Sequence, residues 1–135
     1  AKILVLGVAY KKDVSDCRES PALDVMRMLS EKGANLIYND PYVPTVRLGK
    51  NTINSTELSS DVITQQDCII ILTDHSDYDF KTVVAGARLV IDTRNATKDL
   101  NAFTDNIIKL GAGNRRRAVS DYEEAREPTA IFTAH

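Results

Sequence analysis

The strongest constraint on this chain is a set of short apolar runs that do not alternate. Residues 2–7 read KILVLG, residues 68–72 read CIIIL and residues 89–91 read LVI. A strand with one wet face alternates apolar and polar residues, whereas a run that is apolar throughout has to be covered on both faces. Segments with helical spacing lie between these runs. Ser20-Pro21 reads as an N-cap followed by proline at the first helical position, where the missing N–H costs nothing. Ala22, Val25, Met26 and Leu29 then recur on one helical face, and Gly33 closes the helix. Residues 35–38 (NLIY) form a second strand, ended by Asp40-Pro41. The first 41 residues are therefore strand, loop, helix and strand, one βαβ unit.

The alternation continues. Residues 41–50, with Pro41 and Pro44, read as a loop, and residues 51–54 as a short extended piece. Residues 55–66 carry a weak helical signal through Leu58, Val62 and Ile63. Phe80, Val83, Val84 and Ala85 suit a short helix, and residues 106–110 a fifth strand. The expected fold is α/β: a Rossmann-like, doubly wound parallel sheet in three α/β/α layers, as a single domain over residues 1–113. Residues 114–135 differ. They begin with Asn114 and Arg115-Arg116-Arg117, run into an acidic stretch and hold few apolar anchors. They read as a charged C-terminal tail, poorly ordered or docked on a partner. For the arginines, a solvated charge run is the plainer reading and a phosphate site the sharper one.

Composition narrows the function classes. A length of 135 residues fits one domain. The net charge of −2 offers no general attraction to nucleic acid. No apolar run approaches the roughly 20 residues of a membrane span, and no cleavage pattern follows the first run. Cys17 and Cys68 make neither a disulfide framework nor a metal-ligand spacing, which points to a reducing, cytoplasmic setting and no metal site. The chain lacks an initiator Met and starts almost on a strand, so it is expected to be part of something longer.

In doubly wound sheets, ligands bind beyond the carboxyl ends of the strands, where strand order reverses. Four such ends carry polar clusters: Tyr10-Lys11-Lys12-Asp13 running on to Asp16, Arg18, Glu19 and Ser20; Asp40-Pro41; Thr73-Asp74-His75; and Asp92-Thr93-Arg94-Asn95. Gly7 either lets the backbone approach an anion or simply allows the turn. The G-x-G-x-x-G fingerprint is absent, with Ala9 at its second glycine, so this strand does not read as a dinucleotide site. Lys11 and Arg94 are expected just past strands that neighbour each other, and together suit a diphosphate. The alternative is that they pair with Asp13, Asp16 or Asp92. His75 could move a proton, but more often such a residue makes a structural hydrogen bond. Cys17 lies between Asp16 and Arg18 without a recognisable base, which favours a bystander thiol. Cys68 belongs to the core.

Four motifs in order, GVAYKKDVSDCRESPALDVMRML, GANLIYNDPYVP, ILTDHSDYDF and VIDTRNA, resemble the carboxyl-terminal domain of the UDP-glucose/GDP-mannose dehydrogenase family. The resemblance covers roughly residues 2–113 and is nearest to the UDP-N-acetylhexosamine branch. It implies an enzyme whose amino-terminal Rossmann domain holds NAD and the catalytic cysteine, and whose second Rossmann-like domain binds the UDP half of the substrate. The reaction implied is two-step, NAD-dependent oxidation of the sugar C6 alcohol to a carboxylate through thiohemiacetal and thioester intermediates on that cysteine. On the matching positions, Tyr10 and Lys11 contact the sugar nucleotide, Arg94 contacts substrate, and Arg18 reaches toward NAD on the other domain. The implied partners are the UDP-sugar, the N-terminal NAD-binding domain and, for the full-length enzyme, further copies of itself. Neither Cys17 nor Cys68 matches the nucleophile, so no catalytic residue is expected in this chain, and alone it is expected to be inactive. A stand-alone nucleotide-binding or regulatory module is the alternative; an NAD domain upstream in the same reading frame separates the two. A receiver-type signalling domain fits less well, because Asp74 lacks the carboxylate cluster such domains need.

Overall fold

The computed structural model describes residues 1–9, 20–100 and 105–110. Strand β1 (Lys2–Leu6) leads to helix α1 (Pro21–Glu31) and strand β2 (Asn35–Asn39). An antiparallel hairpin of β3 (Thr45–Leu48) and β4 (Asn51–Asn54) follows. Then come α2 (Ser60–Thr64), β5 (Cys68–Ile71), α3 (Phe80–Gly86), β6 (Val90–Asp92) and β7 (Ile107–Lys109). Five strands form one parallel sheet in the order β2-β1-β5-β6-β7. Order reverses between β1 and β5, because the chain leaves β1 toward β2 on one side and β5 toward β6 on the other.

The apolar runs behave as their patterning requires. Along β1, Ile3 and Val5 pack on one face with Val25, Met26 and Leu29 of α1, while Leu4 and Leu6 pack on the other with Ile63, Val83 and Val84 of α2 and α3. All four residues of β5 are buried. This is the three-layer arrangement expected from the sequence. The short elements match too: Ser20 caps α1, its hydroxyl accepting from the Ala22 N–H with Pro21 next in line. At the other end Gly33 takes φ +89°, and the Gly33 and Ala34 amides bond back to Ser30 and Leu29, a Schellman closure.

Three expectations change. Residues 41–50 are not all loop, because residues 45–48 pair with residues 51–54 as a hairpin. Its Val46 and Leu48 alternate inward onto the α1 face of the sheet, a two-residue period too short to stand out beside Pro41 and Pro44. The weak helix over residues 55–66 contracts to Ser60–Thr64. The strands preceding Lys11 and Arg94, β1 and β6, are not neighbours: β5 lies between them. The reason is that β5, buried at every position, needs a partner on each edge and takes the centre of the sheet.

Two glycines carry different burdens. Gly7 ends β1 at φ +84°, and a Cβ there would lie 2.4 Å from the Thr73 carbonyl oxygen and 2.5 Å from Thr73 Cβ. A Cβ at Gly33 would meet nothing within 4 Å. Gly7→Ala therefore adds a steric clash to left-handed strain and should cost about 2–4 kcal/mol. Gly33→Ala carries the strain alone and should cost about 1 kcal/mol. Urea unfolding of both variants checks the ordering.

Helix α3 begins at Asp79, whose carboxylate accepts from the Thr82 hydroxyl at 2.7 Å and the Thr82 amide at 3.3 Å. The hydroxyl bond, then the amide bond, holds this carboxyl below its usual range. The folded-state pKa is thus lower than the unfolded one. The cap's contribution is complete above the ordinary carboxylate pKa and fades as pH falls through the depressed value. An Asp79→Ala variant should be less stable than wild type at neutral pH, with the gap closing as pH falls below the ordinary carboxylate range; urea midpoints of both proteins followed down through that range measure it.

Candidate functional site

The carboxyl ends of β1, β2, β5 and β6 lie along one edge of the sheet, and the side chains there are tied together. Asp40 follows β2 directly. It is 2% exposed, and its carboxylate reaches over the end of β1. Oδ2 accepts the Val8 amide at 2.8 Å and the Ala9 amide at 3.0 Å, and lies 2.9 Å from His75 Nε2. Oδ1 accepts the Tyr42 amide at 2.8 Å. A carboxylate only accepts, so Nε2 is the ring nitrogen that carries a proton in this pairing. His75 is fully buried, with the rings of Tyr42 and Tyr78 at 4.8 and 5.8 Å. The Tyr78 hydroxyl donates to the Asn39 carbonyl, and burial, reinforced by the nearby Asp40 charge, pushes its ionisation upward. Tyr78 is thus a neutral donor, unsuited to act as a base.

The end of β5 is fastened to β1. The Thr73 hydroxyl donates to the Ala9 carbonyl at 2.8 Å, across the close approach that Gly7 permits. The loop after β6 is organised by Asp92, which is fully buried. Its Oδ1 accepts the Arg94 and Ala96 amides at 3.0 Å each, and its Oδ2 the Thr97 amide and hydroxyl at 2.9 and 2.7 Å. Asn95 sits within this loop at φ 56°, a conformation asparagine tolerates better than most residues. Arg94 is half-buried, and its Nε donates to the Leu72 carbonyl at 3.0 Å. That bond carries the guanidinium across to the end of β5, beside the point where strand order reverses.

Among the residues singled out from sequence, Arg94 is therefore at the sheet's open edge. The carboxylate suggested for it, Asp92, bonds its backbone amide, while the guanidinium bonds a carbonyl instead. Tyr10, Lys11, Arg18 and Cys17 lie outside the described residues, as do Asp13, Asp16 and the whole of residues 114–135. Cys68 is buried in β5 and burial drives its thiol pKa up, the opposite of an activated nucleophile. His75 makes the structural bond that was the commoner expectation. The organising role of Asp40 was not read from sequence; the signal available was the unusual burial demand of an acidic residue between NLIYN and Pro41.

The site holds a buried anion by internal donors, so removing one donor should be felt. His75→Ala leaves the Asp40 carboxylate short of a partner and should cost about 2–4 kcal/mol. Asp77→Ala removes only the surface acceptor of the Tyr42 hydroxyl and should cost under about 1 kcal/mol. Thermal melts of the two variants test the contrast.

Comparison with known proteins bears on the same edge. The profile described as the UDP-glucose/GDP-mannose dehydrogenase family, UDP binding domain, matches residues 4–99. The UDP-N-acetyl-D-mannosamine dehydrogenase of Methanococcus maripaludis strain S2 is 38% identical over 82 residues, 61% of this chain and 17% of that protein. A solved UDP-D-ManNAc dehydrogenase from Pyrococcus horikoshii is similar with a TM-score of 0.59 and 27% identity, covering 85% of this chain and 26% of that one. A UDP-glucose dehydrogenase from Pyrobaculum islandicum is similar with a TM-score of 0.56 and 27% identity, covering 82% of this chain and 24% of that one. The chain thus spans about a sixth to a quarter of the length of these proteins.

Proposed function

The chain belongs to the UDP-glucose/GDP-mannose dehydrogenase family, as its UDP binding domain, and from that premise we propose that it supplies the UDP-sugar-binding half of an NAD-dependent UDP-sugar 6-dehydrogenase. In this reading the whole protein is a cytoplasmic homo-oligomer that oxidises the sugar C6 alcohol to a carboxylate. Residues 1–113 are the binding unit, with residues 114–135 an appendage to it.

The observation that carries the reading is the setting of Arg94. Its Nε is engaged by the Leu72 carbonyl, which fixes the plane of the guanidinium. Among the described residues nothing else bonds it, which leaves the donors of its terminal nitrogens for ligand oxygens. Phosphate recognition uses such a planar fork, and a lysine such as Lys11 would add a point charge. Tyr10 completes the set on the substrate side. Asp92 preorganises the loop, so little ordering is left to be done when a ligand arrives.

NAD does not fit the described residues. One glycine, Gly7, stands where a dinucleotide fingerprint has three, and the Val8 and Ala9 amides already bond Asp40. The proposal accordingly places NAD and the chemistry it supplies, hydride acceptance, on an amino-terminal domain, and gives this chain only Arg18 as a reach toward it.

We expect the 135-residue chain to bind UDP with a Kd in the micromolar-to-millimolar range, on the order of −4 to −8 kcal/mol, and to produce no NADH from UDP-sugars. Arg94→Ala should weaken UDP binding roughly 10- to 100-fold, the worth of a charge-assisted contact. Calorimetric titration gives both numbers. Absence of heat and of chemical-shift changes at millimolar UDP would sink the proposal.

A further inference from the structure

In dinucleotide-binding sheets the acidic residue that ends the second strand faces a ribose, while backbone amides after the first strand hold the diphosphate. Asp40 occupies that acidic position in the chain, directly after β2, yet its carboxylate turns back over the end of β1. Two successive amides, Val8 and Ala9, converge on its Oδ2 at 2.8 and 3.0 Å. Converging amides of this kind are a seat for an anion. We propose that Asp40 is the built-in occupant of that seat and so a specificity-determining residue. Its carboxylate denies the β1 amides to nucleotide phosphates, and a diphosphate on this domain has to be held by side-chain cations.

The carboxylate is fixed where it is. Its own backbone amide donates to Ser55 Oγ at 3.0 Å, the Val43 amide donates to its carbonyl at 3.2 Å, and Tyr42 closes the turn onto Oδ1. His75 holds Oδ2 from the β5 side, its ring packed against Tyr42 and Tyr78. Swinging the Asp40 carboxylate aside for a ligand would break its contacts to three stretches of chain together. A phosphate approaching the occupied seat would also meet the like charge of a carboxylate that is 2% exposed. The inference concerns phosphate groups generally and does not depend on which nucleotide or sugar the domain takes.

The test uses inorganic pyrophosphate and ADP as probes on the isotopically labelled 135-residue chain. In wild type, the Val8 and Ala9 amide resonances should stay in place through millimolar concentrations of both. In Asp40→Ala, and in the isosteric Asp40→Asn should the alanine variant unfold, pyrophosphate should move both resonances and bind at least tenfold more tightly than to wild type. Asp67→Ala, which removes an exposed carboxylate elsewhere on the surface, should leave affinity unchanged and so controls for net charge. Saturable movement of the Val8 and Ala9 resonances in wild type overturns the proposal whether or not the variants fold. So does a folded Asp40 variant whose amides ignore pyrophosphate. Failure of the same wild-type chain to bind UDP would count against the proposed function and leave this inference standing.

Discussion

Taking a carboxylate out of water costs several kcal/mol unless donors replace the water, and Asp40 finds its replacements on three different stretches of chain. Val8 and Ala9 come from the end of β1, Tyr42 from the turn after β2, and His75 from the end of β5. The bonds form only if those ends lie within a few ångströms of one another. Gly7 is what lets β1 and β5 come that close, since any side chain there would run into Thr73. A single buried charge thus sets the spacing of the edge where the sheet would meet a ligand.

The same economy divides the labour at that edge. The Val8 and Ala9 amides at the end of β1 and the amides of Arg94, Ala96 and Thr97 after β6 are consumed internally by Asp40 and Asp92, which takes them out of play. In the proposed reading, recognition is left to side chains at this edge, with Arg94 as the described case. This is a different solution from the glycine-rich cradle, in which backbone amides themselves receive the phosphates.

The sheet was legible because both-face burial writes itself into the sequence: the ILVL and CIII runs have no polar positions, and Ser20-Pro21 and Gly33 punctuate the helix between them. The hairpin was hidden because four-residue strands with two inward side chains each carry little periodicity. Strand adjacency was misjudged because residue order along the chain does not say which strand takes the centre; total burial of residues 68–71 was the clue. At the site, Arg94 stood out as a cation past a strand end. Asp40 and Asp92 did not announce their roles, since a carboxylate that pairs with distant backbone amides looks the same in sequence as one that faces water. The four-motif resemblance identified the family correctly from residues alone, and each motif includes the end of a strand or the residues that follow it.

The register of β1 has a further consequence for how the chain reaches this state. Ile3 pairs with Leu36 on one side and Cys68 on the other, so the strand nearest the start of the chain is completed only once both β2 and β5 exist. Among the described strands, only the β3–β4 hairpin pairs locally. Parallel pairing across such separations slows folding, and on a ribosome the ILVL segment emerges long before its second partner exists. Until residues 68–71 are made, one edge of β1 and the apolar faces of Leu4 and Leu6 stand open, and that interval is when the chain is most exposed to association with its neighbours.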